Sequence, residues 1–274
     1  RVGGWATKPL DSVTTNTALV TLADQLLLGT DKGLFQYNPD SSTLTYLSLG
    51  QASINFMLKA NDGIIWVIAQ DQANQNLLYS FDRGKWTPHL PDQSITTLYQ
   101  SPDNHLWAGG ERGLYQFDEK QGWQQKLKLT AKVNCVYQLA DGTMMMGSDN
   151  GLWVEPGTEV AELIVEQQEL FIKGIFQASN GVIWFRSDQG ILSYDGQSWI
   201  KHGIYSGNWD GNWVGLRAGV LEDTNGTLWF NGYQPPVSSF KDGKWEKHNI
   251  NTSTIADVKQ TSNGRIWAFG AFGI

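Results

Sequence analysis

Two tryptophans that lie four residues apart have the side chains best suited to recognition in this sequence. Trp209 and Trp213 stand in the stretch SGNWDGNWVGLRAG, residues 206–219, whose other residues are mostly glycine, asparagine and aspartate. Aromatic faces of this kind stack on flat polar molecules and attract cations. The same rings could instead fold the segment down as packing, so their meaning depends on what the rest of the 13 tryptophans do.

Histidine and cysteine offer little chemistry here. His89, His202 and His248 each follow a tryptophan by three residues, in WTPH, WIKH and WEKH, so they recur with a repeat and do not converge on one metal. His105 stands alone in a turn. The single Cys135 excludes an intramolecular disulfide and a Cys-based zinc site, and we expect it to be a packed strand residue. No phosphate-binding glycine loop or Gly-x-Ser-x-Gly motif is present, so we expect no metal, no cofactor and no catalytic residue.

Composition sets the class of protein. The net charge of −7 gives no basic face for a phosphate backbone, which makes nucleic acid an unsuitable partner. Only 17% of residues are charged, while 30 glycines and the aromatic residues are spread along the whole chain. This pattern is typical of many short strands joined by turns, and it predicts an all-β fold.

A repeat of about 40 residues organises these strands, and this is the length of one four-stranded propeller blade. Each copy has an apolar strand, in most copies preceded by an Asp-Gly or Asn-Gly turn that supplies the positive φ of a hairpin. The large residue of this strand recurs seven times, at Leu27, Trp66, Trp107, Met145, Trp184, Trp229 and Trp267. We number the seven blades in this order and their strands A to D from the inside outward.

The two chain ends complement each other in this scheme. Trp5 lies in the register of the outer strand D, whereas the last copy ends at Gly273-Ile274, inside its strand C. We therefore predict that residues 1–274 form a single seven-bladed β-propeller with four-stranded blades. Residues 1–10 would supply the outer strand of the closing blade and residues 255–274 its inner strands. The natural chain is expected to continue beyond Ile274.

The segment ITTLYQSPDNHLWAGGERGLYQFDE, residues 95–119, resembles the two-component-regulator propeller repeat, and residues 133–154 and 172–195 match it in part. In that family the propeller is the extracytoplasmic sensor part of a bacterial membrane protein, followed by an immunoglobulin-like domain, a membrane helix and a histidine kinase or diguanylate cyclase. The resemblance implies a periplasmic or extracellular sensor whose targeting segment lies outside this chain. It also implies that the propeller itself does not contact the membrane, and a homodimer of the full-length protein fits this context. Blades 2 and 6 depart from the pattern, with Leu77-Leu78 and Pro236-Val237 in place of Gly-Leu.

The repeat accounts for most of the tryptophans. Five occupy the strand B position, five the strand D position, and Trp153 follows a Gly-Leu in strand C, so we expect all eleven to pack between blades. Trp209 and Trp213 fall outside the register. Trp199 and Trp229 are 30 residues apart where other blades take 21 or 22, which indicates an insertion between strand D of blade 5 and strand A of blade 6.

We expect this insertion on the face where the D–A and B–C loops emerge, where propellers commonly bind ligands. The predicted site collects aromatic, charged and amide side chains from the insertion and the neighbouring B–C loops: Trp209, Asp210, Trp213, Arg217, Tyr233, Gln234, Arg186 and Asp188. Such a site suits a small polar molecule, such as a glycan, or a protein segment.

Three readings of the function stay open. The first is a non-catalytic sensor propeller that binds a ligand or partner and signals to a downstream module. The second is an enzyme similar to the streptogramin lyases, seven-bladed propellers that depend on His, Glu and magnesium near the channel, although no histidine lies in strand A or a D–A or B–C loop here. The third is a protein-interaction scaffold, in which the insertion only plugs the ring.

Overall fold

The computed structural model describes residues 13–20, 26–38, 41, 43–47, 49, 52–155, 161–163, 170–202, 220–231, 237–248 and 255–270. Every regular element in these ranges is a β-strand, which confirms the all-β prediction. Across the described ranges, no helix has the length and apolar character needed to span a bilayer.

The first three blades are four-stranded antiparallel sheets in which chain neighbours pair. Blade 1 comprises β1 (Thr15–Val20), β2 (Leu26–Thr30), β3 (Gly33–Asn38) and β4 (Thr43–Tyr46). Blade 2 comprises β5 (Ser53–Lys59), β6 (Ile65–Gln70), β7 (Asn76–Asp82) and β8 (Lys85–His89). Blade 3 comprises β9 (Ile95–Gln100), β10 (Leu106–Gly110), β11 (Gly113–Asp118) and β12 (Gly122–Lys128).

The next three blades repeat this plan, and a two-stranded sheet follows them. Blade 4 comprises β13 (Val133–Gln138), β14 (Met144–Ser148), β15 (Gly151–Glu155) and β16 (Ala161–Leu163). Blade 5 comprises β17 (Ile172–Gln177), β18 (Ile183–Ser187), β19 (Gly190–Tyr194) and β20 (Trp199–Lys201). Blade 6 comprises β21 (Val220–Glu222), β22 (Leu228–Asn231), β23 (Val237–Lys241) and β24 (Lys244–His248). The last sheet pairs β25 (Ile255–Gln260) with β26 (Ile266–Gly270).

The described residues therefore form six four-stranded blades and not the seven that we predicted. The seventh repeat contributes only β25 and β26, because the segments predicted to complete it, residues 1–10 and 271–274, lie outside the described residues. Closure of the ring by the N-terminal strand is a prediction about these same segments and is not confirmed.

The turns between strands A and B have the chemistry that the sequence predicts. In blade 2, Gly63 has a φ of 89° and its N–H donates to the carbonyl of Ala60. The Asp62 carboxylate accepts the N–H of Ile64 at 2.9 Å. Positive φ is accessible to glycine at no steric cost, so an Asp-Gly or Asn-Gly pair sets the register of the strands that follow it.

The chain divides into two compact units, residues 1–57 with 211–274, and residues 58–210. Each unit has its core between successive sheets. In the second unit, Val133 and Val136 of blade 4 pack with Leu114 of blade 3, and Phe185 of blade 5 packs with Leu152 of blade 4. In the first unit, Phe269 of the last sheet packs with blade 1, and Val237 of blade 6 packs with the last sheet.

The described tryptophans belong to these inter-blade layers, as predicted. Trp66 and Trp184 on strand B are only 2% and 3% exposed. Trp66 meets Trp123 of the next blade edge-on, with ring centroids 5.5 Å apart. Trp5, Trp209 and Trp213 lie outside the described residues.

Candidate functional site

The D–A and B–C loops of one blade lie on the same face, as predicted, because the backbone joins them directly. The N–H of the first B–C residue donates to the carbonyl of the residue just before strand A, for example Asp149 to Lys132 and Asp188 to Phe171, both at 3.2 Å. Glu111 and Ser94 of blade 3 make the same bond. We call this side of the blades the loop face.

One position on strand B, near the loop face, is occupied by glycine in blades 1, 3 and 4. A Cβ at Gly147 of blade 4 would lie 2.5 Å from the Ile172 side chain and 2.6 Å from the Cys135 sulfur. At Gly109 of blade 3 the same atom would lie 2.6 Å from Val133. These separations are far below contact distance, so blades 3 and 4 exclude a side chain here. Blade 2, blade 6 and the last sheet do carry one at the equivalent position, namely Ile68, Asn231 and Phe269.

Blade 5 places Arg186 at this position. It is accommodated together with a change on the paired strand, because Arg186 pairs with Gly174 of β17, where blade 4 has Cys135 and blade 3 has Thr97. Arg186 is 5% exposed, so its positive charge is held inside the blade edge. A buried guanidinium is rare, and the other described copies of the repeat have an uncharged residue at this position, so Arg186 marks blade 5 as a specialised copy.

A second cation lies beside the first. The register between β17 and β18 shifts from Ile172 to Gly174, which leaves Lys173 as the extra residue of a β-bulge. The side chain of Lys173 is half-buried. Burial lowers the pKa of the Lys173 ammonium below its ordinary value, and the positive charge of Arg186 lowers it further, while Asp188 and Asp149 oppose this shift. The bulges of the other described blades carry uncharged residues: Asn16, Thr96, Asn134 and Ala256.

One carboxylate and one aromatic ring complete this part of the loop face. Asp188 accepts the N–H of Phe171 at 3.1 Å, in the way that Asp31 of blade 1 accepts the N–H of Thr14. Asp188 thus has a structural role that the repeat shares. The Phe171 side chain is 42% exposed, which is unusual for a large apolar residue in this chain. We call Phe171, Lys173, Arg186 and Asp188 the blade 5 cluster.

The blade 5 cluster contains two of the eight residues that the sequence predicts for the site, Arg186 and Asp188. The other six, Trp209, Asp210, Trp213, Arg217, Tyr233 and Gln234, lie outside the described residues, so their part of the site stays a prediction. Sequence reasoning missed Phe171 and Lys173. The available signal was a lysine followed by glycine at the start of strand A, where other blades have Asn-Cys or Thr-Thr.

A polar cleft of about 340 Å³ opens on the loop face between blades 2 and 3. Its lining includes the long B–C loop of blade 2 and charged residues of blade 3, with Asn74, Gln75, Asp92, Glu111 and Arg112 among them. Ligand pockets usually combine an apolar surface with a few polar groups, and this cleft lacks the apolar part. It is therefore the weaker of the two candidates.

Three of the histidines serve the blades themselves. His202 stacks on Trp184 with ring centroids 4.9 Å apart, and its Nε2 lies 2.8 Å from the Ser193 hydroxyl. His89 with Ser80 and His248 with Ser239 make the same 2.8 Å contact in blades 2 and 6. Burial lowers the pKa of all three imidazoles. Over the described residues, no three His, Cys, Asp or Glu side chains lie close enough to share a metal ion.

Comparisons with known proteins agree with this architecture. Residues 89–112 match the model of the two component regulator propeller. No curated protein shows significant sequence similarity to the chain.

Among solved structures, one similar fold is a catalytically inactive virginiamycin B lyase from Staphylococcus aureus with quinupristin. It has a TM-score of 0.75 and 13% identity, over 97% of this chain and 95% of the lyase. Another is the extracellular domain of a protein described as a hybrid two component system from B. thetaiotaomicron, with a TM-score of 0.73 and 15% identity. This match covers 98% of our chain but only 39% of that one.

At these identities the solved structures establish the fold alone, and the lyase and the extracellular domain resemble the chain about equally, with TM-scores of 0.75 and 0.73. The repeat model matches the hairpin of blade 3 that carries the Leu106-Trp107 strand. Residues 89–112 are thus similar to the two component regulator propeller repeat, and the solved structures show that the chain shares the propeller fold.

Proposed function

We propose that the chain is a non-catalytic sensor propeller that recognises a small polar ligand or a protein segment on its loop face. The observation that carries the proposal is the blade 5 cluster. Here two cations, Lys173 and Arg186, occupy positions that are uncharged in the other described blades, and they lie near an exposed ring, Phe171. Rigid strands hold the side chains of such a cluster in place, as a recognition site requires.

The repeat family and the similar extracellular domain support the cellular context. We propose that the propeller is the periplasmic or extracellular part of a membrane protein and passes its signal to a downstream module. In this proposal, ligand binding changes the association or orientation of the full-length protein, with a homodimer as the simplest arrangement. The predicted residues of the insertion, Trp209 and Trp213 above all, would add stacking surface to the cluster.

A thermal-shift screen of sugars, glycans and small metabolites tests the proposal. A ligand present at 100 times its Kd adds about 2.7 kcal/mol to the stability of the folded state, which is readily measured. We expect a hit whose shift is lost in Trp213→Ala. A matched control is Tyr46→Ala, which removes an aromatic side chain that is 48% exposed on an outer strand. Equal shifts in both variants would contradict the proposed site.

The enzyme alternative has one observation in its favour, the fold shared with the virginiamycin B lyase. It is tested by incubating the chain with quinupristin and Mg²⁺ and following the substrate by mass spectrometry. We expect intact quinupristin, because three of the four histidines contact Trp and Ser side chains of their own blades and the fourth, His105, pairs with Asp103 in an A–B turn. Turnover that depends on a histidine would replace the sensor proposal with the lyase.

A further inference from the structure

We infer that the polar cleft between blades 2 and 3 binds a zwitterionic α-amino acid, with Arg112 holding the ligand carboxylate and Asp92 and Glu111 holding its ammonium group. This site is separate from the blade 5 cluster. The inference goes beyond the proposed function, because it gives the loop face a second ligand class. Its grounds are the construction of the cleft, the charges that line it and its small apolar surface.

One wall of the polar cleft is an enlarged loop of blade 2. Residues 71–75 connect β6 to β7, whereas residues 111 and 112 alone connect β10 to β11 in blade 3. The enlarged loop has a defined conformation, since the Asp71 carboxylate accepts the N–H groups of both Ala73 and Gln75 at 2.9 Å. Aspartate commonly organises turns in this way. The additional residues therefore form a fixed wall of the cleft.

The loops around the cleft are joined to one another. The Gln75 amide donates to the carbonyl of Pro91 at 3.4 Å, which connects the enlarged loop to the D–A loop before blade 3. That D–A loop is held from below, because the hydroxyl of Tyr115 donates to the Gln93 amide oxygen at 3.0 Å and Tyr115 is only 5% exposed. The backbone bond of blade 3 described above attaches the third loop. A cleft built in this way needs little ordering when a ligand binds, which favours affinity.

Three charged side chains line the polar cleft, namely Asp92, Glu111 and Arg112. Within residues 52–155, which the structure describes without a gap, none of these three takes part in an ion pair. Asp71 is the remaining charged residue of the three loops, and its carboxylate is engaged in the turn. Two carboxylates and one guanidinium are thus available to a ligand.

The two signs of charge lie close together. Glu111 and Arg112 are adjacent at the tip of one hairpin, and Asp92 lies on the neighbouring loop. Burial raises the pKa of the Tyr115 hydroxyl and the positive charge of Arg112 opposes this rise, which places the guanidinium near the hydroxyl that bonds Gln93. A guanidinium binds a carboxylate through two parallel hydrogen bonds, and carboxylates accept well from an ammonium group. The lining therefore matches a ligand with both groups on one carbon.

The other lining residues narrow the ligand class. Ala73 is the one apolar residue among the eight that line the cleft, and no aromatic ring lines it. An apolar ligand gains little from such a surface, and a sugar lacks the ring on which it would stack. The volume of about 340 Å³ suits one small molecule. The amides of Asn74 and Gln75 can bind a polar side chain, so a hydrophilic amino acid fits best.

Isothermal titration calorimetry with glycine, L-serine and L-glutamine tests this inference. L-Glutamine is compared with N-acetyl-L-glutamine, which lacks the ammonium group, and with L-glutamine α-amide, which lacks the carboxylate. We expect L-glutamine to bind at least about 10-fold more tightly than either analogue, because each analogue loses one charge-assisted interaction. Putrescine and calcium chloride probe a site for cations alone, and sodium acetate probes a site for anions alone.

Variants then assign the two halves of the ligand. Arg112→Gln should weaken L-glutamine and its N-acetyl analogue about 10-fold and leave the α-amide unchanged. Asp92→Asn should weaken L-glutamine and the α-amide and leave the N-acetyl analogue unchanged. General damage to the cleft would instead weaken all three ligands alike. Arg83→Gln and Asp82→Asn are matched controls, since these exposed residues form a pair on the C–D hairpin of blade 2, and they should change nothing.

The outcomes decide the inference. It is overturned if none of the three amino acids binds, if L-glutamine binds no more tightly than both analogues, or if its affinity is unchanged in Arg112→Gln. Putrescine or Ca²⁺ that binds more tightly than the amino acids would show a cation site in its place, and acetate that does so would show an anion site. The proposed function is judged separately, because its ligand is expected to depend on Trp213 and not on Arg112.

Discussion

Blades 4 and 5 are adjacent copies of one repeat, with the same strand order and the same turn between strands A and B. On strand B of blade 4, Gly147 is closed in by Ile172 and Cys135, whereas blade 5 has Arg186 with Gly174 opposite. The space beside Gly147 is filled by apolar side chains in blade 4, whereas blade 5 has the charged side chain of Arg186 at this position. The comparison teaches that a repeat can gain a polar site by exchanging side chains across one strand pair, without a change of backbone plan.

The largest effect is expected when a side chain is added on strand B without removing the one opposite it on strand A. Gly147→Ala places a methyl group 2.5 Å from Ile172 and should destabilise the protein by about 2–3 kcal/mol, measured by urea denaturation. The double variant Cys135→Gly/Gly147→Ala recreates the Gly174 side of blade 5. Its free energy of unfolding should be about 1 kcal/mol higher than the value expected from adding the effects of the two single substitutions. Strict additivity would mean that Gly174 does not explain how blade 5 accommodates Arg186.

An intermediate effect is expected in the pH dependence of stability, to which blade 5 contributes a histidine and blade 4 does not. Blade 5 has the His202, Ser193 and Trp184 contact, while blade 4 has Met145 paired with Val154 at this place. The pKa of folded His202 is lowered by burial, so the unfolded chain takes up a proton at a higher pH than the folded chain does. This part of the stability is complete above about pH 6.5 and is lost as the pH falls from there through the folded pKa.

His202→Gln tests this sign. We expect a loss of about 1 kcal/mol at pH 7.5, because one buried hydrogen bond and one ring stack change. Between pH 7.5 and pH 5 the variant should lose less stability than the wild type. If the three buried histidines contribute equally to this loss, it should be smaller by about a third. Met145→Leu in blade 4 is the control and should keep the full pH dependence. An unchanged slope in His202→Gln would contradict the structural role given to this histidine.

The smallest effect concerns the turns at the opposite face. Gln177 of blade 5 accepts the N–H of Ala140 in blade 4 at 2.8 Å and donates to Gly181 of its own turn, so it links two blades. Gln138 of blade 4 donates to Gly142 of its own turn at 3.2 Å. We expect Gln177→Ala to lower the free energy of unfolding by about 0.5 kcal/mol and Gln138→Ala by about half of that, measured by urea denaturation. Equal costs would show that the link between blades adds no stability.

The strands could be predicted well from the sequence because residues close together in the chain determine the turns and strands of each repeat. Turns such as Asp62-Gly63 fix the register of the strands that follow them, and the strand B tryptophans mark the inter-blade core. Contacts between side chains on different strands could not be predicted from the sequence. The Ser193 partner of His202 and the Gln177 link depend on how strands and blades are placed against each other.

The site shows the same division. An arginine in place of glycine at position 186 is visible in an alignment of the blades, and it was predicted as a site residue. The significance of Lys173 depends on the bulge, where the pairing register of β17 and β18 skips this residue, and that of Gly174 depends on its pairing with Arg186. Neither follows from a period of about 40 residues, because a bulge shifts the facing residue by one. The six remaining predicted residues lie outside the described part of the chain.

The outer strands have a consequence for solubility. Each blade ends in a strand whose far edge has no partner within its own sheet, and such an edge can template aggregation. Here these strands are short or carry exposed lysines, as with Lys85 on β8, Lys201 on β20 and Lys244 on β24, and β8 also contains Pro88. A second chain that paired with one of these edges would bring like charges together and would lose a backbone hydrogen bond at the proline. On β20, Ile200 is half exposed, and the adjacent Lys201 therefore helps to protect this outer strand from edge-to-edge association.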